Sequence, residues 1–172
     1  MTAHVLQAWT RDVEIRTKGL EQRASLVVHA HDVKPGVVYK DEKVTVTAFQ
    51  VAHGQWGPQA FGYRFDTPGR SIVISGDTSP SEELIAHCQP CDVLIHEAYS
   101  PTVKVPIMRD WPAYSAKYHT STEQLADIAN RTKPGLLIMY HISGRTLDEQ
   151  LKAEVEKSYH GKFVIGHDLE VY

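Results

Sequence analysis

Ser71-Ile72-Val73-Ile74-Ser75-Gly76-Asp77-Thr78-Ser79-Pro80-Ser81-Glu82 is the stretch where the chain changes character. Its first five residues are a short apolar, β-branched run and predict a buried strand that stops at Gly76-Asp77. Ser79-Pro80-Ser81-Glu82 then offers a cap, a proline at the first helical position and an acid at the third, with Leu84, Ile85 and Cys88 as the apolar face of the helix. Upstream, residues 3 to 19 have helical apolar spacing. Short strands are predicted at Leu26-Val27-Val28, Gly36 to Tyr39, Val44 to Val51, and Ala60 to Phe65, so that with Ser71 to Ser75 a meander of about five strands results. Downstream, Val93-Leu94-Ile95 is a strand, and Thr120-Ser121-Thr122-Glu123 is a capping box before a helix through Leu125, Ile128 and Ala129. Leu136 to Tyr140 is the next strand. Thr146-Leu147-Asp148-Glu149 opens a helix through Leu151 and Val155, and Phe163 to Ile165 and Leu169 to Tyr172 close as strands. Strands first and alternating helix and strand afterwards predict an α/β (α+β) unit, a mixed sheet with helices on one face, spanning residues 1 to 172 as one body. Ser100 to Tyr118, with three prolines, Trp111 and Tyr114, has no clear period and is expected to be a functional or surface loop.

Composition sets outer bounds. The 172 residues are 42% hydrophobic and 23% charged, which excludes collagen-like and disordered classes. No apolar run reaches the roughly 18 residues of a membrane helix, and Met1-Thr2-Ala3-His4 starts no export signal, so no membrane partner and a cytoplasmic location are expected. Lys and Arg number 18 against 21 Asp and Glu, a net charge of -3 without a basic stripe, which disfavours nucleic acid as a partner. Two cysteines cannot build a disulfide scaffold, and Cys88-Gln89-Pro90-Cys91 is expected to be two small buried thiols rather than a redox pair or half a zinc site. Ten histidines are the unusual count.

Three polar residues fall at strand ends: His53 after the strand that closes at Val51, Asp77 after Ser75, and His141 after Tyr140. Imidazole, carboxylate and imidazole from separate strands suit a divalent ion, and Gly54 and Gly76 permit close backbone approach. Each taken singly reads first as a hydrogen-bonded structural residue, and it is their joint placement that points to metal. His96-Glu97 follows the strand at 93 to 95 and His119 precedes a helix, positions from which a carboxylate could orient a proton-transferring histidine. His29-Ala30-His31-Asp32 runs into a Lys34-Pro35-Gly36 turn and reads as an ordinary polar strand end.

In order, Val51-Ala52-His53-Gly54, Ser75-Gly76-Asp77-Thr78, Asp92 to Ala98 with His96-Glu97-Ala98, His119-Thr120-Ser121-Thr122 and Met139-Tyr140-His141-Ile142-Ser143 resemble the later motifs of the metallo-β-lactamase superfamily, in its ribonuclease Z and arylsulfatase-like branch. The resemblance implies an αββα sandwich holding up to two metal ions, zinc first and manganese or iron as alternatives. It implies His53, Asp77 and His141 as metal ligands and Glu97 with His119 as the catalytic pair. The reaction implied is hydrolysis of a phosphodiester, ester or sulfate ester by a metal-activated water.

Two departures from the family pattern shape the expectation. His-x-His-x-Asp-His is absent, so the chain corresponds to the C-terminal half of the sandwich, with three ligand side chains where two ions need more. Poor activity in isolation is expected, together with homo-oligomerisation as a dimer or pairing with an N-terminal half. Only 23 residues lie between His53 and Asp77, leaving no room for the arm of transfer-RNA-processing members, which favours a small-molecule ester or phosphodiester substrate. The alternative is a non-catalytic remnant that keeps the half-fold for binding or oligomerisation.

Overall fold

The computed structural model describes residues 31–103, 110–144 and 146–172. The helix expected at 3 to 19 and the strand at 26 to 28 lie outside these residues, as do His29 and Ala30; His31 and Asp32 are exposed and irregular. Lys34–Tyr172 forms one compact unit. Its elements are β1 (Gly36–Lys40), β2 (Thr45–Gln50), a 3-10 helix (Gly54–Gln59), β3 (Phe61–Asp66), β4 (Ser71–Ile74), α1 (Glu82–His87), β5 (Val93–Tyr99), α2 (Trp111–Tyr118), α3 (Thr122–Thr132), β6 (Leu136–Ser143), α4 (Asp148–Glu156) and β7 (Phe163–Ile165).

Among the described residues the strands make one seven-stranded sheet in sequence order. β1 to β4 pair antiparallel and β4 to β7 pair parallel. Each parallel step needs a crossover, and α1, α2 with α3, and α4 supply the three in turn. Because the order advances one way and such crossovers share a hand, the helices gather on one face, as the sequence predicts. Phe49, Val73, Leu94, Leu137, Met139 and Ile165 point to that face and share a buried cluster with Leu84 and Ile85 of α1, Leu125 and Ile128 of α3, and Leu151 and Val155 of α4. Removing water from such side chains stabilises the fold by about 1.5–3 kcal/mol each. The opposite face carries Ile72, Ile74, Val93, Ile95, Leu136 and Ile138 in register across three strands, and none of these belongs to the buried cluster.

Local chemistry moves several expected boundaries. The first cap is Ser81, whose hydroxyl accepts from the Leu84 amide, so α1 starts beyond Pro80. The second capping box is Ser121 with Gln124: the serine hydroxyl accepts from the Gln124 amide and the glutamine side chain accepts from the Ser121 amide. At the third, Leu147 occupies the cap position without a side-chain bond. Leu169 to Tyr172 is not a strand; Leu169 and Val171 are fully exposed, and an alternation with no sheet to join has nothing to pair with. Trp111–Tyr118 is a helix rather than a loop. Cys88 and Cys91 are joined by a disulfide rather than free. No described helix is long and apolar enough to cross a membrane.

Candidate functional site

β2 is antiparallel to β3 and β3 to β4, so β2 runs the same way as β4, β5 and β6, and the C-terminal ends of all four lie along one edge of the sheet. That edge is where mixed and parallel sheets receive ligands. His53 follows β2, Asp77 follows β4, and Glu97 and His141 stand near the ends of β5 and β6. His119 arrives from the connection between α2 and α3. A backbone bond from the Tyr99 amide to the Thr120 carbonyl (3.0 Å) and one from the Thr120 hydroxyl to the Thr78 carbonyl (2.7 Å) pin that connection against the ends of β5 and β4.

His141 reaches the site through a backbone irregularity. Glu97 pairs with Tyr140 and Ala98 with Ile142, so His141 is the extra residue of a β-bulge, and its φ of 44° puts it in the left-handed region. A bulge re-aims the side chain of the inserted residue, and a non-glycine residue held at positive φ stores strain of the kind found at functional sites. Gly76, at φ 62°, makes the turn that presents Asp77; a Cβ there would lie 2.6 Å from the Phe61 carbonyl oxygen. Both glycines singled out in the sequence flank the site, since a Cβ on Gly54 would collide with the Tyr118 ring.

Asp77, His119 and His141 each offer a ligand atom, all within 4.8 Å of one another. His141 Nε2 lies 3.4 Å from Asp77 Oδ2, and these two side chains are nearly half exposed. His53 stands beside this group: its ring is 5.5 Å from that of His119, and its Nδ1 bonds the Tyr118 carbonyl at 2.8 Å, which leaves Nε2 free. It shares with Asp77 a cavity of about 320 Å³. Thus Asp77, His119 and His141 form one group with His53 beside it, and the fifth expected site residue, Glu97, lies fully buried behind them.

Glu97 Oε1 accepts from the Thr78 amide at 2.9 Å and meets His119 Nδ1 at 3.0 Å. Burial raises the Glu97 carboxyl above its ordinary range against the opposing pull of His119. The same bond raises His119, and burial only partly offsets it. With Nδ1 held, Nε2 is the nitrogen that faces outward, the arrangement by which a carboxylate fixes the tautomer of a metal-binding or proton-donating histidine. Sequence spacing separates His119 from the ligand trio; the geometry sets it among them. His96 points the other way, into the core, with Nδ1 on the Glu97 carbonyl (2.7 Å) and Nε2 without a partner among the described residues. Two imidazoles and a carboxylate, with Asp77 and His141 nearly half exposed and His119 backed by a buried acid, fit a divalent ion of the zinc, manganese or iron kind.

A sequence profile described as "Beta-lactamase superfamily domain" matches residues 1–142. The chain belongs to the metallo-β-lactamase superfamily. Among relatives of this superfamily member, ribonuclease Z of Mycobacterium tuberculosis (strain ATCC 25618 / H37Rv) is 27% identical over 145 residues, 83% of this chain and 53% of that protein. Ribonuclease BN of Citrobacter koseri is 31% identical over 176 residues, 98% of this chain and 53% of that protein. The metallo-beta-lactamase fold protein YhfI from Bacillus subtilis superimposes on 74% of this chain and 49% of its own with a TM-score of 0.59 and 19% identity, which shows the shared fold. The chain spans about half the length of the curated relatives it matches.

Both relatives are named as ribonucleases, and this corrects the expectation that nucleic acid is disfavoured. That expectation took as its guides the chain's net charge of -3 without a basic stripe and the short interval between His53 and Asp77. In a metallohydrolase the cations that meet a phosphate include bound metal, which no count of Lys and Arg contains.

Proposed function

We propose that this chain carries the Asp77, His141 and His53 share of a metal-dependent phosphodiesterase site, with RNA as the substrate class. The observation that carries it is the convergence of Asp77, His119 and His141 within 4.8 Å at the sheet edge, with Glu97 bonded behind His119. Asp77, His141 and His53 would hold a divalent metal, which would supply Lewis acidity and an activated water at neutral pH. The protein's own groups do the rest. The Asp77 carboxylate lies 3.4 Å from His141 Nε2 and shares its cavity with His53. Glu97 keeps the His119 imidazole protonated at Nδ1 and favours its charged form, so that Nε2 delivers a proton to the departing oxygen. The bulge at His141 and the turn at Gly76 hold the two exposed side chains in place without rearrangement.

A second role for His119 is favoured by its place in the ligand group, namely as a metal ligand in its own right. The two roles differ in what the His119→Ala variant would lose: metal content if His119 is a ligand, turnover at full metal content if it is the acid. We further infer that the chain by itself holds metal weakly, because three ligand side chains serve poorly for two ions. The apolar face through Ile72, Ile95 and Ile138 is the surface on which a second copy or an N-terminal half would dock.

Hydrolysis of bis(p-nitrophenyl) phosphate with added Zn²⁺ or Mn²⁺ tests the reading. A metal-dependent rate that Asp77→Ala and His141→Ala both abolish supports it. No rate above buffer for the chain, alone or with an N-terminal half supplied, favours the non-catalytic remnant. Two zinc ions per chain surviving dialysis would overturn the weak-binding inference.

A further inference from the structure

The histidines adjoin a set of aromatic rings that the chemistry above leaves without a role. Trp111, Tyr114 and Tyr118 follow i, i+3, i+7 spacing along α2 and so share one side of it. Trp111 and Tyr114 are stacked with centroids 6.0 Å apart, and Tyr114 and Tyr118 lie 4.7 Å apart. This pile runs directly into the site. Tyr114 is 6.3 Å from the His119 ring, and Tyr118 meets His53 edge-on at 5.4 Å. The Lys117 ammonium sits 5.2 Å over the Tyr118 ring. Trp56, from the 3-10 helix, lines the cavity shared by His53 and Asp77.

These rings are not all spent on packing. Trp56 is 59% exposed and Tyr114 is 42% exposed, while none of the four belongs to the buried core. We propose that they form a stacking platform for the bases of single-stranded RNA, holding a base beside the phosphodiester that reaches Asp77, His119 and His141. This rests on the phosphodiesterase reading and adds a grip on the bases to the site's grip on the phosphate. Stacking on aromatic faces tolerates any base, and a nearby cation strengthens it. The Tyr118 and Tyr114 rings, 5.4 Å from His53 and 6.3 Å from His119, would set the base beside that phosphodiester.

Fluorescence anisotropy with fluorescein-labelled hexa-adenylate, at low salt and in EDTA, tests the platform without metal or turnover. Saturable binding is expected, weakened about 5- to 100-fold by Tyr114→Leu or Trp56→Leu and changed less than twofold by Tyr114→Phe, which keeps the ring. A ribose-phosphate hexamer without bases should bind no tighter than hexa-adenylate binds the Leu variants. The platform is overturned if the unsubstituted chain shows no saturable binding, if the Leu variants bind as tightly as it does, or if the abasic strand matches hexa-adenylate. Adenosine 5′-monophosphate competing on equal terms with the hexamer would also overturn the strand assignment, in favour of a mononucleotide. Binding of this pattern combined with no metal-dependent hydrolysis would sink the catalytic reading and leave the platform standing.

Discussion

Lowering the pH should unfold this protein through His96, and the size of the effect follows from where that ring sits. His96 is fully buried, donates from Nδ1 to the Glu97 carbonyl, and has no partner for Nε2 among the described residues. Burial pushes its pKa down from 6.5 to about 4. A depressed folded-state value means that the unfolded chain takes up the proton first as pH falls. Stability is therefore intact above pH 6.5 and drains away between 6.5 and about 4. Between pH 7.5 and 4.5 the loss from this one group comes to about 2.5 kcal/mol, a large share of a typical folding free energy. Glu97 and His119, both raised in the fold, act with the opposite sign, so total stability alone does not isolate His96. Urea unfolding of the unsubstituted chain and of His96→Leu at both pH values does. The unsubstituted chain should lose about 2.5 kcal/mol more than the variant over that interval. Equal losses in the two proteins would show that His96 takes up its proton in the folded state and refute the reasoning.

Three further outcomes are expected. Gly76→Ala should cost about 2 kcal/mol or more by urea unfolding, since it combines positive φ with a 2.6 Å approach to a carbonyl, whereas Gly69→Ala, with open space around it, should stay within about 0.5 kcal/mol. Glu154→Ala should cost about 2–4 kcal/mol, because the buried carboxylate accepts from Ser100 (2.7 Å), Thr102 (2.7 Å) and Thr122 (2.8 Å), and its loss takes away the acceptor these three hydroxyls share; Glu154→Gln should recover part of this. Glu97→Gln should lower the pKa of His119 as read by proton NMR titration, because the carboxylate bond is the largest force raising it; an unchanged titration would separate the two residues functionally.

What the chain discloses before folding and what it conceals divide along a physical line. Strands β2, β4, β5 and β6 are legible because each is a short apolar run between turn residues, and α3 because Leu125, Ile128 and Ala129 recur on one buried side. α2 is not legible: its apolar residues are aromatic rings that stack on each other and on the site instead of facing the core, so no core-facing stripe marks them. The cap positions shift by one or two residues because several adjacent Ser and Thr could each accept the first amide, and only the packed helix selects among them. Leu169 and Val171 show that alternation needs a partner strand before it becomes structure.

The site is legible for a different reason. Strand-end placement of His53, Asp77 and His141 implies a shared edge only if the strands that carry them run the same way, and the even number of antiparallel steps from β2 to β4, followed by parallel pairing to β6, makes that so. The bulge that turns His141 is invisible in sequence, because a bulge is a relation between two strands and Glu97 and Ala98 are its other side. For the same reason His119 joins the Asp77 and His141 group unannounced: its place depends on the Tyr99–Thr120 and Thr120–Thr78 bonds, which link segments far apart in the chain. Breaking the second of these with Thr120→Val, while leaving Asp77 and His141 untouched, should therefore displace His119 alone. Zinc affinity would fall if His119 is a ligand and would hold, with a reduced rate, if it is the acid.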